Sequence, residues 1–414
     1  MDMVLTNIGL LATPVGNSAR KGAAQREIAL IPNAVIGIKD GKIAFVGREQ
    51  GDAQQAESAQ GDATQCIDCG GRLVTPGLVD SHTHLVFGGW RQKELALKLE
   101  GKSYLDILKA GGGILSTVEH TRAASEDELV EKGSALLSEM LSFGVTTCEA
   151  KSGYGLNMAD ELKQLRVMRT LNATHPVDVV STFMGAHAIP VEYEEGRDGY
   201  IELLINEIIP AVSREGLAEF CDIFCETAVF TPDESRRILL AAARCGLTPK
   251  AHADEIDPVG GAEMAAGVGA ISAEHLIEAS DEGIKALADS GVIAVLLPAT
   301  SFYLDKPFAR ARRMVDSGVA VAVATDFNPG SSPSLNMQFA MNLACLKYKL
   351  TPAEALTAVT LNGAAAINRA DKCGSVEVGK QADLVIWDAP DLEYIFYRYG
   401  SNLAHKVIKG GVVV

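Results

Sequence analysis

Hydrophobic and polar positions follow a regular alternation through the middle of this chain. Eight short apolar runs are separated by stretches in which apolar residues recur with the period of a helix. The apolar runs are residues 78–85, 145–150, 177–184, 222–226, 249–252, 270–275, 292–297 and 319–326. The helical stretches include residues 127–141, 159–171, 232–243 and 281–288. Continuous apolar strands alternating with helices build parallel sheets, so the pattern predicts an α/β fold with a (β/α)8 TIM barrel.

The two ends of the chain have a different pattern, which is typical of antiparallel strands. Residues 34–39 and 42–46 flank an Asp-Gly pair, which is a hairpin signal. Residues 382–387 and 405–413 return to the same pattern, with a glycine turn in the second run. We therefore expect both termini to form one small β-sandwich domain. The predicted division is 1–75 and 371–414 for that domain and 76–370 for the barrel.

Two connections in this scheme are long. Residues 47–61 are polar and rich in Gln and Ala, which predicts a surface loop. Residues 87–125, between the first two barrel strands, contain three consecutive glycines. Loops at this end of a barrel carry function, so we expect the 87–125 segment to cover the catalytic face as a lid-like insertion.

Charge and composition narrow the class of partner. The chain has 414 residues, 37 basic and 53 acidic side chains, and a net charge of −16. Such an acidic chain is a poor ligand for nucleic acid or an anionic membrane, although one local arginine can still bind an anionic small molecule. No apolar run approaches the roughly 18 residues of a membrane span, and the first residues do not resemble a signal peptide.

Cysteine usage indicates a reducing compartment. The eight cysteines are scattered, and the C-x-x-C formed by Cys66 and Cys69 has no second pair at zinc-ribbon spacing. We interpret these two as incidental thiols and expect a cytoplasmic protein.

Candidate chemistry lies where the predicted strands end. His82 and His84 are two residues apart, so on a strand both rings face the same side. His252, His275 and Asp326 each close a later strand. Because active sites of such barrels lie at the carboxyl ends of the strands, these side chains should converge. Three imidazoles and a carboxylate suit one Zn²⁺ or iron ion per chain, with a position open for water.

Other polar residues near these ends have more than one interpretation. Glu255 could manage the proton of a metal-activated water or could simply lie at a helix amino terminus, and Asp254 competes for the same role. His275 could be a fourth ligand, a general acid/base or a core histidine. His187 follows the third strand and is a candidate substrate contact. The remaining histidines, His120, His175 and His405, are expected at the surface or in a loop.

The sequence resembles the amidohydrolase superfamily over essentially its whole length. The resemblance rests on VTPGLVDSHTH at residues 74–84, on Asp326, and on GKQADLV at residues 379–385. Within the superfamily it is most similar to the hydrolases that open an imidazolone ring in histidine degradation. The motifs behind this closer likeness are residues 87–91, 151–155, 185–187, 252–255, 273–275 and 325–331.

The resemblance implies specific roles for residues of this chain. It implies a single metal bound by His82, His84, His252 and Asp326, with Glu255, His275 and Asp326 in the catalytic step. Strand four, residues 222–226, lacks the lysine that two-metal members carboxylate, which is consistent with one metal. The implied substrate contacts are Arg91, Tyr154, His187, Glu255, Asn328, Gly330 and Ser331.

The implied reaction is hydrolysis of 4-imidazolone-5-propanoate to N-formimidoyl-L-glutamate by attack of metal-bound hydroxide on the ring carbonyl. Arg91 would bind the anionic propanoate arm as a fork. Residues 328–331 precede an expected helix, so their backbone amides could also receive a carboxylate.

Two rival functions remain at this stage. A deaminase of the same superfamily, acting on a cytosine- or guanine-like ring, would use the same His-x-x-Glu motif. A non-catalytic barrel serving as an assembly scaffold would not need the complete ligand set. Bound metal and hydrolysis of a cyclic amide would exclude the scaffold. A homodimer is the expected assembly, on the general frequency of two-fold oligomers.

Overall fold

The computed structural model describes residues 1–48, 64–101, 112–193 and 195–414. Most of the polar loop predicted over 47–61 therefore lies outside the described residues, as do residues 102–111 of the predicted lid. No helix in the described ranges is long and apolar enough to cross a bilayer.

The first five strands come from the amino-terminal part. They are β1 (Met3–Pro14), β2 (Ile28–Lys39), β3 (Lys42–Arg48), β4 (Gln65–Asp68) and β5 (Leu73–Pro76). β2 and β3 form the predicted hairpin, and both turn residues, Asp40 at φ 52° and Gly41 at φ 72°, have the positive φ that a tight two-residue turn requires. The long β1 pairs with β2 on one side and with β4 and β5 on the other.

Eight parallel strands then form the barrel, and each overlaps one of the predicted apolar runs. They are β6 (Leu78–Asp80), β7 (Val145–Lys151), β8 (Asp178–Ala186), β9 (Phe220–Cys225), β10 (Thr248–Ala253), β11 (Ser272–His275), β12 (Ile293–Leu296) and β13 (Val321–Val323). Each strand pairs with the next in chain order. The alternation along the sequence thus predicted both the number of strands and their order.

The first and last barrel strands meet just beyond their carboxyl ends. The Asp326 amide donates to the His82 carbonyl at 3.1 Å, and the His84 amide donates to the Phe327 carbonyl at 2.8 Å. These bonds bring the His-x-His segment and the strand-eight aspartate side by side, although they are about 240 residues apart in the chain.

The carboxyl-terminal strands complete the terminal sheet. β14 (Leu384–Trp387) pairs antiparallel with β5, and β15 (Ala404–Lys409) and β16 (Val412–Val413) continue outward. Both ends of the chain therefore share one sheet, packed around a core of its own that includes Leu5, Ile36 and Ile386. The fold class is confirmed, whereas the domain boundaries at 75/76 and 370/371 stay a prediction.

Helices surround the barrel and connect its strands. Their bounds are α1 (Glu94–Leu99), α2 (Gly113–Ala123), α3 (Glu126–Ser142), α4 (Met158–Thr174), α5 (Arg197–Leu203), α6 (Ile209–Glu215), α7 (Pro232–Arg244), α8 (Gly261–Gly267), α9 (Asp281–Ser290), α10 (Pro298–Tyr303), α11 (Ala311–Asp316), α12 (Met337–Leu346), α13 (Pro352–Ala358), α14 (Leu361–Ala366) and α15 (Leu392–Tyr397). A π-helical turn, Leu204–Ile208, joins α5 to α6, and Gly22–Arg26 and Val191–Tyr193 are 3-10 turns. The four predicted helical stretches correspond to α3, α4, α7 and α9.

Local sequence signals fix where the main helices begin. Ser125 and Glu128 form a capping box at α3, and Thr231 and Glu234 form another at α7. Each box satisfies backbone groups that the first helical turn leaves unpaired. Behind the cap, α7 buries one apolar stripe that includes Ile238 against the barrel. The helices thus hold the strands from outside and leave the rim open for polar side chains.

Candidate metal centre and active site

One rim of the barrel collects three imidazoles and a carboxylate. His82 and His84 follow β6, His252 lies in β10, and Asp326 follows β13. None of these four residues is more than 3% exposed. The structure therefore brings all four predicted ligands to one buried place.

The side-chain atoms of these residues converge. Nε2 of His82 lies 3.3 Å from Oδ1 of Asp326, and Nε2 of His84 lies 3.6 Å from the same oxygen. Nε2 of His252 is 3.4 Å from Nε2 of His84. Three ring nitrogens and one carboxylate oxygen at these separations form a donor set of the kind that binds zinc or iron.

The imidazoles are held in the neutral form that a metal requires. Burial, with the nearby Lys151 charge adding to it, keeps the pKa of His82 well below its usual range, and burial lowers the pKa of His252 to about 3. Within the described part of the chain, Nε2 of His82 has no hydrogen-bond partner although it is fully buried. A buried nitrogen without a partner, facing other donor atoms, fits a bound cation.

Carboxylates stand behind two of these rings. Oε2 of Glu274 lies 3.0 Å from Nδ1 of His82, and Oδ2 of Asp222 lies 3.1 Å from Nδ1 of His252. A carboxylate near the far ring nitrogen is the usual partner of a metal-binding histidine, because it leaves Nε2 as the ligand atom.

Asp326 occupies a special backbone position. Its φ is 53°, and that of His275 is 68°, in the left-handed region that residues other than glycine rarely adopt. The Thr300 hydroxyl donates to Oδ2 of Asp326 at 2.5 Å, so Oδ1 is the oxygen that faces the histidines. Burial raises the pKa of Asp326 to about 7, and a cation at Oδ1 would oppose that shift.

Glu255 and His275 form a pair beside the ligand set. Oε2 of Glu255 is 3.5 Å from Nε2 of His275, and the His275 ring centre is 5.2 Å from that of His252. Burial, with the Asp326 charge adding to it, raises the pKa of Glu255 to about 8. The ligand atoms of His275, His82 and His252 also lie within 4.8 Å of one another, so the geometry permits either a ligand or a proton-transfer role for His275.

Asp254, the competitor of Glu255, has a structural task. Its Oδ1 accepts from the Gly260 and Gly261 amides at 3.1 and 2.9 Å, and its Oδ2 accepts from Ala262 at 2.9 Å. It therefore caps the start of α8. Glu255 stands six residues before α8 begins, so the alternative of Glu255 as a helix-terminal acid does not fit this position.

Arg91 lies in the loop that follows β6 and is held in a fixed position. Its Nε and Nη2 each donate to Glu94 at 2.9 Å, and Glu94 also accepts from the Gly113 amide at 2.7 Å. The guanidinium packs against Gly330, where an added Cβ would stand 2.2 Å from Nη1. Two predicted substrate contacts, Arg91 and Gly330, are thus neighbours.

Tyr154 and His187 lie beside His84, just past the ends of the second and third barrel strands. The His187 ring stacks on His84 at 4.9 Å, and the Tyr154 ring lies 5.3 Å from His187. Nδ1 of His187 contacts the Gly153 carbonyl at 3.1 Å, which fixes that nitrogen as the donor. At Gly153, with φ at 108°, a Cβ would lie 2.8 Å from the same nitrogen, so the glycine makes this approach feasible.

The segment after Asp326 differs from our expectation. Oδ1 of Asn328 already accepts from the Gly330 and Ser331 amides, at 2.8 and 2.7 Å, and the following helix begins only at Met337. These two amides are therefore bonded within an Asn-centred turn, and the expectation that they receive a substrate carboxylate at a helix start is wrong. Local side-chain bonding of this kind is characteristic of asparagine and is not visible in a hydrophobic pattern.

Sequence reasoning missed a layer of charged residues under the rim. The five side chains are 0% exposed and lie within strands: Glu149, Lys151, Asp222, Lys250 and Glu274. A usable signal was present, because charged residues are almost never fully buried unless paired. Four of these lie within runs that were predicted to be buried, and Lys151 directly follows one.

His120, His175 and His405 are not part of the group of side chains at the rim, and the cysteines form no disulfide. His405 is exposed, and His120 is exposed with Nδ1 2.7 Å from the Ser116 carbonyl. His175 contacts the Ser138 hydroxyl at 3.2 Å. All eight cysteines, which all fall in described ranges, are free thiols.

Comparison with known sequences gives consistent matches. The sequence profile of the amidohydrolase family matches residues 73–414. An imidazolonepropionase of Bacillus velezensis is 54% identical over 415 aligned positions, covering 100% of this chain and 97% of the relative. An imidazolonepropionase of Alkaliphilus metalliredigens is 53% identical, with 100% and 98% covered.

Solved structures share the fold at low sequence identity. Escherichia coli guanine deaminase is 15% identical with a TM-score of 0.73, covering 100% of this chain and 98% of that one. A zinc-bound adenosine deaminase from Xanthomonas campestris is 21% identical with a TM-score of 0.69, covering 100% and 92%. At these identities the likeness extends to the fold alone.

Proposed function

Since the chain belongs to the amidohydrolase family, we propose that it catalyses the imidazolonepropionase reaction, hydrolysis of 4-imidazolone-5-propanoate to N-formimidoyl-L-glutamate. The relatives that carry this name align with it from end to end at more than half identity. The structural observation that carries the proposal is the contact of Arg91 with Gly330, in the turn that follows the candidate ligand Asp326. A fixed cation beside a metal-binding group suits a cyclic amide with an anionic arm.

The centre binds a divalent metal, and we propose one zinc or iron ion per chain. The ligands in this proposal are Nε2 of His82, His84 and His252 and Oδ1 of Asp326. When bound, such an ion acts as a Lewis acid and brings the pKa of water near 7. The barrel strand β9, which is the fourth, contains no lysine, and this supports a single-metal site.

Glu255 and His275 manage protons in the proposed reaction. Water adds to the ring carbonyl carbon, the carbon–nitrogen bond of the ring amide breaks, and a proton must reach the released nitrogen. Oε2 of Glu255 accepts the proton of the attacking water, and that proton is returned to the released ring nitrogen by Glu255 or by His275, whose Nε2 lies 3.5 Å from Oε2 of Glu255. Burial raises the pKa of Glu255, and a cation at the proposed ligand set would oppose that shift and favour the ionised form that can accept a proton.

The substrate arm is bound at the rim. Nε and Nη2 of Arg91 are engaged by Glu94, so Nη1 is the edge that the proposal assigns to the propanoate carboxylate. The proposal also assigns substrate contacts to Tyr154 and His187, whose rings lie 5.3 Å apart, and Nε2 of His187 is its contact atom because Nδ1 faces the Gly153 carbonyl. Asn328, Gly330 and Ser331 shape the pocket through their turn.

The test is a ring-opening assay on the purified, metal-loaded protein. The expected result is loss of imidazolone absorbance with stoichiometric N-formimidoyl-L-glutamate, and about one metal ion per chain by elemental analysis. Release of ammonia from guanine or cytosine without ring opening would instead establish a deaminase, whose neutral substrate has no use for Arg91. A protein that neither holds metal nor opens any cyclic amide would be a scaffold.

The setting of the enzyme is also a proposal. The free thiols support a reducing cytoplasm, and the acidic charge supports a small-molecule substrate over nucleic acid. We propose a homodimer and the three-part division 1–75, 76–370 and 371–414. Size-exclusion chromatography with light scattering measures the oligomeric state, and limited proteolysis locates the domain boundaries.

A further inference from the structure

The charged layer beneath the rim is unusual in its burial. Three carboxylates, Glu149, Asp222 and Glu274, share the barrel interior with two ammonium groups, Lys151 and Lys250. Taking this many charges out of water is strongly unfavourable unless each is paired, and an apolar filling is often no less stable. The layer therefore calls for an explanation other than stability of the barrel.

Lys151 is the centre of that layer. Its Nζ lies 2.6 Å from Oε1 of Glu149, 2.7 Å from Oδ2 of Asp222 and 3.1 Å from Oε2 of Glu274. The last two oxygens are the same atoms that face Nδ1 of His252 and of His82. One ammonium group thus contacts both carboxylates that stand behind metal-binding rings.

We propose that Lys151 is a positioning residue of the metal centre, whose ammonium fixes Asp222 and Glu274 so that His252 and His82 both present Nε2 to the ion. The inference rests on the proposed ligand set. Without the ammonium, the two carboxylates repel each other across a distance that the structure keeps short, since their ligand atoms and that of His252 lie within 4.8 Å of one another. Each would move, and the ring behind which it stands would lose its fixed orientation.

Lys250 supplies a matched control. It has the same charge and the same complete burial, but its Nζ contacts the other oxygen of Glu274, Oε1, at 3.1 Å, and the Ala366 carbonyl at 3.1 Å. It contacts neither of the two oxygens that face the histidines. Removing it changes the charge of the layer by the same amount without removing the contact that the proposal invokes.

The experiment measures zinc affinity of the full chain by competition with a chelator. Lys151→Met should weaken zinc binding by about 10- to 100-fold, the usual effect of losing an outer-sphere partner, and Lys250→Met should weaken it much less. The absorption spectrum of the cobalt-loaded protein should change in Lys151→Met and stay near wild type in Lys250→Met, because the spectrum reports the ligand geometry directly.

A second variant covers the case in which Lys151→Met does not fold. Glu149→Gln/Lys151→Met removes the ammonium together with a carboxylate that contacts Thr182 and approaches the Thr83 amide, so the charge of the layer is unchanged. Glu149→Gln alone should bind zinc like wild type, and the double variant should bind it weakly.

Three results would decide against the inference. The first is unchanged zinc affinity in the variants that lack Lys151, and the second is an equal loss of zinc affinity in Lys151→Met and Lys250→Met. The third is a Lys151→Met protein that binds a second zinc ion while the first site keeps its affinity. Failure of the wild-type protein to bind zinc or iron would instead contradict the proposed metal centre itself, so the two failures are distinguishable.

Discussion

Single side chains at the rim show how burial sets up the chemistry. Burial holds the pKa values of the histidines low and raises those of Glu255 and Asp326, so burial by itself favours the neutral form of each group. A metal ion reverses the balance for the carboxylates and leaves the imidazoles as they are. The same burial therefore prepares the nitrogens as ligands and keeps Glu255 able to exchange a proton.

His84 offers the most direct test of the ligand set. We expect His84→Ala to lose most bound metal and turnover, because it removes one of the four proposed donor atoms. Elemental analysis measures the metal, and circular dichroism should show an intact barrel. Full metal occupancy in a folded His84→Ala protein would contradict the assignment.

A substitution at Glu255 can test proton transfer separately from metal binding. Glu255→Gln keeps the size of the side chain but cannot accept a proton, so we expect metal content to be retained and kcat to fall by about 10²-fold or more. The comparison uses saturating substrate, where a change in binding has no effect. Turnover close to wild type would leave Glu255 a purely structural role.

The raised pKa of Glu255 also predicts a pH dependence of stability in the metal-free protein. Its folded value is about 8 against an ordinary value of 4.5, so between these limits the folded state binds more protons than the unfolded state. Stability from this group is therefore complete below pH 4.5 and is lost as the pH rises toward 8.

Glu255→Gln should remove that loss. The free energy of unfolding of the variant relative to wild type should increase with pH across this range, by at most about 1.4 kcal/mol per pH unit. Urea unfolding of both metal-free proteins at several pH values measures the difference. Parallel curves for the two proteins would show that the folded-state pKa is not raised.

At the scale of elements, the strands were predictable and several connections were not. Barrel strands are buried on both faces, so each leaves a continuous apolar run in the sequence. Short helices such as α1 and α10 have six residues each, too few to establish a period. The turn at Asn328 depends on side-chain-to-backbone bonds, which composition alone does not reveal.

The candidate site was predictable to the same extent. The convergence of the four candidate ligands could be predicted because each lies at or just past the end of a strand and barrel rims bring strand ends together. The Lys151 layer could not be assembled from the sequence, because its contacts depend on the pairing register of neighbouring strands. Lys250, for example, pairs with Ser272 and so stands beside the strand that carries Glu274.

The loop after β6 and the turn after β13 meet at one contact that can be tested. In Gly330→Ala, the new Cβ would stand 2.2 Å from Nη1 of Arg91, and Glu94 holds the guanidinium so that it cannot easily withdraw. We expect KM for 4-imidazolone-5-propanoate to rise with little change in kcat or thermal stability. An unchanged KM would mean that Arg91 does not touch the substrate arm.

At the scale of the whole molecule, charge sets a condition on how this enzyme meets its substrate. The net charge of −16 repels an anion at long range, and salt weakens that repulsion because the Debye length is about 10 Å at 0.1 M. The attraction that binds the anionic substrate therefore has to come from a nearby group. Arg91 is largely buried, and Glu94 fixes its geometry. The acidic surface and the local cation act in opposite directions on the same carboxylate.

Because the net charge repels the substrate carboxylate and Arg91 attracts it, the effect of losing Arg91 should depend on whether the substrate carries a carboxylate. Arg91→Ala should lower kcat/KM for 4-imidazolone-5-propanoate by roughly ten- to a hundredfold, the effect of losing a charge-assisted contact of about 1.5–3 kcal/mol. On an imidazolone without the carboxylate, the loss should be much smaller, because the neutral compound gains nothing from the guanidinium and meets no repulsion. Steady-state kinetics of wild type and variant on both compounds measure the ratio. Equal losses on the two would rule out Arg91 as the anchor, since an effect that ignores the carboxylate has to arise from the shape of the rim and not from its charge.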